Sequence, residues 1–293
     1  MNSYILRGHA KDYSVRIFAA DTKSLVEKTR NTHGSSPVAT AALGRTLTAA
    51  SMMGTMMKGE KDKLTITFRG KGPIGNVVVV GNSKGIVKGY VSNPQIDLPL
   101  RADGKLDVGG AIGTDGEIVV VKDLGMKEPY VGKYELVTGE IAEDLAAYFA
   151  YSEQQPSAVA LGVLIDTDCS VKAAGGFIIQ IMPDSNEDTI SKLERNLNKI
   201  PSLSFMLGDG MTIEQIVEIL MAEIPYEISD KIPVDFVCDC HRERIEQVLI
   251  SLGKEELMRL RDEEDEKVEV VCHFCNEKYN FERHHLDEII DSL

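Results

Sequence analysis

The chain carries Cys238-Asp239-Cys240 and, after a gap, Cys272-His273-Phe274-Cys275. These two pairs hold four of the five cysteines, and Cys169 is the fifth. Pairs spaced i, i+2 and i, i+3 can each direct two sulfurs at one point, and a hairpin between them would complete a Cys₄ site with metal–sulfur distances of about 2.3 Å. Soft thiolate ligands favour Zn²⁺ over hard cations. The spacing therefore predicts one zinc ion bound by Cys238, Cys240, Cys272 and Cys275.

Both pairs belong to a C-terminal segment, residues 233–293, that has few large apolar side chains. The pattern predicts a helix near 242–251, an acidic helix end at Asp262–Glu266, a strand at 268–271 and a last helix that reaches Leu293. A module of this size rarely builds a sufficient hydrophobic core alone and needs further stabilisation, such as a bound metal. In small zinc peptides metal binding contributes roughly 10–16 kcal/mol to folding, so zinc is expected to hold this module together.

The preceding segment, residues 183–232, is predicted to be an amphipathic helical linker. Apolar residues recur at helical spacing from Ile190 to Ile200, and a second short helix begins at Thr212. Gln215, three residues after Thr212, predicts a capping box. Helices of this length are marginal by themselves and need a surface to lie on. We expect the linker to lie on the first domain.

Residues 1–182 predict a large mixed domain. A long helix begins at Ser36-Pro37 and continues to about Gly59, and strands follow in succession at 64–68, 76–80, 85–91 and 117–122, separated by short turns. Such succession favours antiparallel pairing. The predicted fold class is α+β: an N-terminal domain of antiparallel sheets packed by helices, a helical linker and a small C-terminal zinc-binding domain.

Composition limits the possible partners. The 293 residues are 43% hydrophobic and 27% charged, as in a globular protein, with a net charge of −14. That charge argues against nucleic-acid and anionic-membrane partners, which need basic patches. Arg45 interrupts the most apolar long run, and the first residues contain no apolar signal region. We expect a cytoplasmic protein whose thiols are reduced at rest.

The four clustered cysteines allow three functions. Zinc can simply fold the module, as in a constitutive zinc-ribbon adaptor that binds a protein or nucleic acid. Alternatively, the thiolates can act as a redox switch, because oxidants attack thiolates and each pair is close enough for a disulfide that would eject the metal. A thiol oxidoreductase using Cys272 and Cys275 would need a βαβ context that the flanking residues lack. No other constellation predicts a catalytic centre, so we expect no enzyme.

Other candidate residues have simpler interpretations. Cys169 follows a predicted strand and is expected to be a partly buried thiol rather than a nucleophile. His273 lies between two ligands of an already filled tetrahedron, and His284 and His285 are expected on a helix surface. The long helix carries four methionines, which can fill an irregular core or form an adaptable apolar surface covered by the linker helices: Met52, Met53, Met56 and Met57.

Several motifs together resemble one family over essentially the full chain. They are the cysteine tail ending Cys275-Asn-Glu-Lys-Tyr279-Asn-Phe281, His33-Gly34, Val121-Lys-Asp-Leu-Gly125, Tyr130-Val-Gly132, Gly139-Glu-Ile-Ala-Glu-Asp144, Ser152-Glu-Gln154, and Gly175-Gly176 ahead of Gln180 and Pro183. The chain resembles the redox-regulated heat-shock protein 33 family of ATP-independent chaperones, and none of the four ligand positions departs from it.

The resemblance implies a reduced, zinc-bound and largely inactive state. It implies that peroxide with unfolding stress, or hypochlorite, forms the disulfides Cys238–Cys240 and Cys272–Cys275 and releases the zinc. The module and linker then loosen, and the protein dimerises and binds unfolding client proteins. The constitutive zinc-ribbon adaptor remains the alternative.

Overall fold

The computed structural model describes residues 2–263 and 267–293, and it divides into two units, Met1–Val237 and Cys238–Leu293. The division falls at 237/238 rather than at 232/233 because the segment just before Cys238 forms strands within the first unit. The separation of a linker at 183–232 from a core at 1–182 remains a prediction about function. Residues 264–266 of the predicted acidic helix end lie outside the described residues.

The elements are named in chain order. In the first unit the strands are β1 (Tyr4–Ala10), β2 (Val15–Asp21), β3 (Lys63–Arg69), β4 (Asn76–Asn82), β5 (Ile86–Val91), β6 (Glu117–Asp123), β7 (Tyr130–Glu135), β8 (Ser157–Ile165), β9 (Val171–Ile181), β10 (Tyr226–Pro233) and β11 (Asp235–Phe236). Its helices are α1 (Lys23–His33), α2 (Pro37–Thr55), α3 (Val108–Ile112), α4 (Ile141–Tyr151), α5 (Glu187–Leu197), α6 (Leu203–Gly208) and α7 (Ile213–Leu220). The second unit contains α8 (Arg242–Leu252), α9 (Lys254–Glu263), β12 (Lys267–Val271), β13 (Lys278–Glu282) and α10 (Arg283–Asp291).

Two sheets share one central helix in the first unit. The five-stranded sheet has the order β10-β1-β2-β9-β8, and the six-stranded sheet has the order β11-β5-β4-β3-β6-β7. All pairings are antiparallel except the short one between β11 and β5. Helix α2 contacts strands of both sheets and is buried along nearly its whole length. Ser36 accepts a hydrogen bond from the Ala39 N–H, and Pro37 occupies the first turn, where no N–H is needed. The predicted α+β class is confirmed.

Helices α5, α6 and α7, called here the covering helices, pack on the five-stranded sheet. They share one apolar cluster with β1, β2 and β9, to which α7 contributes Ile213, Ile216, Val217 and Leu220. The predicted capping box is present, because Thr212 Oγ1 accepts from the Gln215 N–H at 3.3 Å and Gln215 Oε1 accepts from the Thr212 N–H at 2.9 Å. The surface that these short helices need is therefore one face of this sheet.

The methionines of α2 separate into two pairs. Met52 and Met53 are buried in the interior, while Met56 and Met57 follow the helix and are half-buried. None of the four belongs to the apolar cluster beneath the covering helices. The structure therefore favours core packing for Met52 and Met53 over an adaptable surface beneath the linker.

Four strands of the first unit were not predicted: β1, β7, β10 and β11. Strand β10 is the clearest case, because the linker was expected to be helical. Its residues are mostly exposed, and it contains Glu, Ser, Asp, Lys and Pro instead of an apolar alternation. It forms a strand because β1 supplies a pairing edge from Tyr4 to Ala10, and this long-range partner overrides its weak local propensity.

The second unit has a small core around one hairpin. Strands β12 and β13 pair from Lys267↔Glu282 to Val271↔Lys278. Eight buried side chains from the hairpin and its three helices form the apolar cluster: Ile245, Leu249, Leu257, Val268, Phe281, Leu286, Ile289 and Ile290. A core of this size agrees with the expectation that the module needs a further source of stability.

Candidate metal centre

The first cysteine pair lies at the start of the second unit, immediately before α8. Cys240 is followed by His241, and α8 begins at the next residue. His241 is the N-cap of this helix, and its side chain accepts a hydrogen bond from the Arg244 N–H. Asp239, between the two cysteines, forms an ion pair with Arg244 at 2.5 Å. The pair is therefore attached to the beginning of an ordered helix.

The second pair occupies the turn of the β12–β13 hairpin. The Cys272 N–H donates to the Glu277 carbonyl at 2.9 Å, and the Asn276 N–H donates to the Cys272 carbonyl at 2.8 Å. Asn276 has φ +59°, a left-handed conformation that asparagine tolerates better than most residues. This tight turn brings the sulfurs of Cys272 and Cys275 to the same side of the hairpin.

The structure brings all four predicted ligands together, and these residues are called here the cysteine cluster. The four sulfurs lie within 4.8 Å of one another. The Cys238 and Cys272 sulfurs are 3.8 Å apart, and those of Cys240 and Cys275 are 3.3 Å apart. A tetrahedral centre with metal–sulfur distances of about 2.3 Å has sulfur–sulfur edges of about 3.8 Å. The cluster is thus positioned to hold one metal ion.

Crowding affects the ionisation of the four thiols. Burial raises the pKa of Cys238 to about 11 and also raises that of Cys275. Burial acts in the same direction on Cys240, but hydrogen bonds from Tyr279 and the other three cysteines lower its pKa below the ordinary value. A divalent metal ion would offset two of the four negative charges that the thiolates carry.

Tyr279 is a site residue that the sequence did not single out. It lies on β13, and its hydroxyl donates a hydrogen bond to the Cys240 sulfur at 3.2 Å. Its pKa is raised by this hydrogen bond and by burial. In the sequence Tyr279 belonged only to the motif that follows Cys275. The sequence predicted the strand at 268–271. A prediction that residues around Tyr279 pair with this strand would also have been needed to place Tyr279 beside the cluster.

The other candidates lie outside the cluster. Cys169 is exposed, where partial burial was predicted, and it occupies the β8–β9 turn with φ +66°. Among the described residues, the group that could hold a metal contains the four cysteines and not His273. His285 contacts Glu246, with 2.9 Å between His285 Nε2 and Glu246 Oε1, and His284 is exposed. In the described parts of the chain, no helix has the length and apolar character needed to cross a membrane.

Comparisons with known proteins identify the family of this chain. The family model described as "Hsp33 protein" matches residues 3–282. The chain belongs to the Hsp33 family. The 33 kDa chaperonin of Alkaliphilus oremlandii is 53% identical over 289 residues, covering 99% of this chain and 96% of that protein. The 33 kDa chaperonin of Clostridioides difficile is 50% identical over 293 residues, covering 100% of both.

A solved structure of the family has the same fold. The crystal structure of the Hsp33 homologue from Thermotoga maritima superposes with a TM-score of 0.91 at 40% identity, covering 100% of this chain and 99% of that one. By their names, members of the Hsp33 family are chaperones rather than enzymes. The thiol oxidoreductase is excluded on this ground, and the second cysteine pair also lies in an antiparallel hairpin instead of a βαβ unit.

Proposed function

We propose that this chain is an ATP-independent holdase chaperone that oxidation switches on. In its resting state the cysteine cluster binds one Zn²⁺, and the covering helices lie on the five-stranded sheet. Oxidation of the cluster releases the metal, and the apolar face beneath these helices becomes available to unfolding proteins. The observation that carries the proposal is the cysteine cluster within a member of a chaperone family.

Zinc is the metal that best suits the ligands. Four thiolates make a soft, fully occupied tetrahedral set, and such a set is typical of a structural zinc site without an open position. When bound, zinc supplies charge compensation and folding free energy. The small core of the second unit explains why this contribution matters, since only eight of its described side chains form the buried cluster.

The oxidised state contains the disulfides Cys238–Cys240 and Cys272–Cys275. In each pair two thiolates lose two electrons and form an S–S bond, while the O–O bond of peroxide breaks and, with two protons, gives two water molecules. The resemblance of the sequence to its family supplies this pairing. The contacts between the Cys238 and Cys272 sulfurs and between the Cys240 and Cys275 sulfurs cross between the pairs. All four sulfurs lie within 4.8 Å of one another, so each within-pair bond is also within reach.

The covering helices are suited to conditional release. Each is short, and each depends on the sheet face for its apolar partners. In sequence, α7 is followed by β10 and β11 and then by Cys238, so these two strands connect the covering helices to the cluster. We infer that loss of the metal destabilises the second unit and that this loosening extends to the covering helices.

The partners follow from this mechanism. An exposed apolar sheet face binds unfolded or partly unfolded client proteins without sequence specificity. The resemblance of the sequence to its family further implies that the oxidised chain forms a homodimer. We propose the cytoplasm as its location, because thiols are kept reduced there and the proposed resting state is reduced. The net charge of −14 opposes nucleic acid and anionic membranes as partners.

The test is to oxidise the zinc-loaded protein with peroxide at mildly elevated temperature. Released zinc is followed with a chromogenic chelator, disulfides are mapped by peptide mass spectrometry, and aggregation of a denatured client is measured by light scattering. We expect protection to appear together with zinc release. Equal protection by the reduced, zinc-loaded protein would overturn the proposal.

One control and one alternative outcome complete the experiment. Cys169→Ser removes the exposed thiol outside the cluster and is expected to leave the response intact. Retention of zinc under the same oxidant would instead favour a constitutive zinc-ribbon adaptor.

A further inference from the structure

One side chain on the hairpin that holds the second cysteine pair contacts the first pair. Tyr279 lies on β13, where its backbone pairs with Val270 on β12. Its hydroxyl donates to the Cys240 sulfur at 3.2 Å. The hairpin that contains Cys272 and Cys275 therefore contacts the first pair through an O–H···S hydrogen bond as well as through the shared site.

The position of the hydroxyl is set by the hairpin. Five residue pairs fix the β12–β13 register, and Tyr279 is next to the pair Val271↔Lys278 that closes the turn. Other groups that act on metal ligands from outside are known to orient them and to change metal affinity by roughly 10- to 100-fold. Tyr279 is placed to act on Cys240 in this way.

We propose that Tyr279 is a positioning residue of the cysteine cluster, which holds the Cys240 sulfur in its ligand position and lowers its reactivity toward electrophiles. A hydrogen bond to a thiolate stabilises its negative charge and makes its lone pairs less available for attack. The inference rests on the proposed function only in assuming that the reduced cluster binds a metal.

The same hydrogen bond responds to oxidation. Peroxide forms an S–O bond with the Cys240 thiolate as its O–O bond breaks and hydroxide leaves. The Cys238 thiolate then displaces the hydroxyl group of this sulfenic acid as hydroxide, and an S–S bond forms. The two sulfurs have supplied the two electrons that reduce peroxide, and two protons convert the hydroxides to water. A disulfide sulfur carries no charge and accepts hydrogen bonds weakly, so the connection between Tyr279 and Cys240 is lost with the thiolate.

The experiment compares Tyr279→Phe with the unchanged protein and with a matched control, Lys278→Gln. The first substitution removes only the hydroxyl. The control removes the neighbouring cross-strand ion pair between Lys278 and Glu269, which are 2.9 Å apart, and leaves the sulfur contact in place. Full-length protein is loaded with Co²⁺ for spectroscopy and with Zn²⁺ for alkylation by iodoacetamide, and each cysteine is followed separately by mass spectrometry.

The expected results are specific to Cys240. In Tyr279→Phe, Cys240 is alkylated roughly five- to tenfold faster, because a hydrogen bond to a charged acceptor is lost, while the other three cysteines change less. The sulfur-to-cobalt charge-transfer band moves to longer wavelength, since the thiolate becomes a better electron donor. Lys278→Gln leaves both readouts at their original values.

Two results would overturn the inference. One is a Cys240 rate in Tyr279→Phe within twofold of the unchanged protein. The other is an equal acceleration of all four cysteines, which indicates general loosening of the hairpin. Neither readout uses a client protein. If oxidation fails to produce chaperone activity but the Cys240 rate responds as expected, the proposed function fails and the role of Tyr279 stands.

Discussion

Asn196 on α5 offers the sharpest test of how the covering helices are held. Its side chain is 2% exposed, and its amide Nδ2 donates to the carbonyls of Leu220 at 3.1 Å and Ala222 at 2.7 Å. Its Oδ1 accepts from Lys199 Nζ at 2.9 Å. One buried amide therefore satisfies two carbonyl groups at the C-terminal end of α7 and connects α5 to it.

The substitution Asn196→Ala removes both hydrogen bonds to α7. Each such bond contributes about 0.5–1.5 kcal/mol net, so the packed state of the helices loses about 1–3 kcal/mol. Because 1.4 kcal/mol corresponds to a factor of ten, the population of released helices rises roughly 5- to 150-fold. We expect the reduced, zinc-loaded variant to suppress client aggregation more than the unchanged protein does.

Hydrogen exchange measured by mass spectrometry checks this result in the reduced protein. Amides of Ile213–Leu220 should exchange faster by the same factor, while amides of the β3–β4 hairpin keep their rates, because local opening need not involve the whole unit. Asn198→Ala is the matched control, since Asn198 is an exposed asparagine at the C-cap of the same helix.

Two outcomes would refute the reasoning. Exchange in Asn196→Ala that equals exchange in Asn198→Ala means that the amide does not hold α7. Equally faster amide exchange throughout the first unit means that the helices and the sheet open together. Release of the covering helices is then not a separate step.

Three further predictions concern burial, packing and protons. Asp144 is fully buried and accepts hydrogen bonds from the N–H groups of Val137 and Thr138, while its other oxygen has no hydrogen-bond partner among the described residues. Desolvation raises its pKa, so the folded state binds the proton more tightly than the unfolded state, and stability falls as pH rises through the range between the two pKa values. Above this range Asp144→Asn should be neutral or stabilising in urea unfolding, whereas Asp144→Ala should cost about 1–3 kcal/mol; equal effects of the two would refute the burial argument. Gly8→Ala would place its Cβ 2.5 Å from the Glu227 carbonyl oxygen, so it should cost about 1–3 kcal/mol and increase exchange in β10; an unchanged urea midpoint would contradict this. The raised pKa values of at least two cluster thiols mean that metal binding releases protons. The apparent zinc affinity, measured by chelator competition, should therefore fall roughly a hundredfold or more for each pH unit below pH 7, and release of fewer than about two protons would contradict this.

Local patterns in the sequence predicted the features that depend on local chemistry. The spacing of the four cysteines predicted their assembly, and Thr212 with Gln215 predicted the capping box. Pro37 after Ser36 marked the start of the central helix. In the capping box and at the start of the helix, residues a few positions apart determine the outcome. The two cysteine pairs are distant in sequence, but each pair has a ligand spacing that predicts a shared metal.

Features that depend on distant partners were not predicted. Strand β10 forms because β1 pairs with it across more than two hundred residues of sequence, although its own residues favour exposure. The contact between Tyr279 and Cys240 joins residues 39 positions apart, and the type of neither residue predicts the contact. Exposure of Cys169 follows from the β8–β9 turn, whereas the sequence suggested partial burial.

Hydrogen exchange across the oxidative transition tests the central claim, that the cysteine cluster controls the covering helices. The measurement compares amides of Glu187–Leu197 and Ile213–Leu220 in the reduced, zinc-loaded protein and in the peroxide-oxidised, zinc-free protein. We predict that both segments lose protection by roughly tenfold or more, while the β3–β4 hairpin keeps its protection. Unchanged protection of both helices in an oxidised protein that fully suppresses client aggregation would contradict the account.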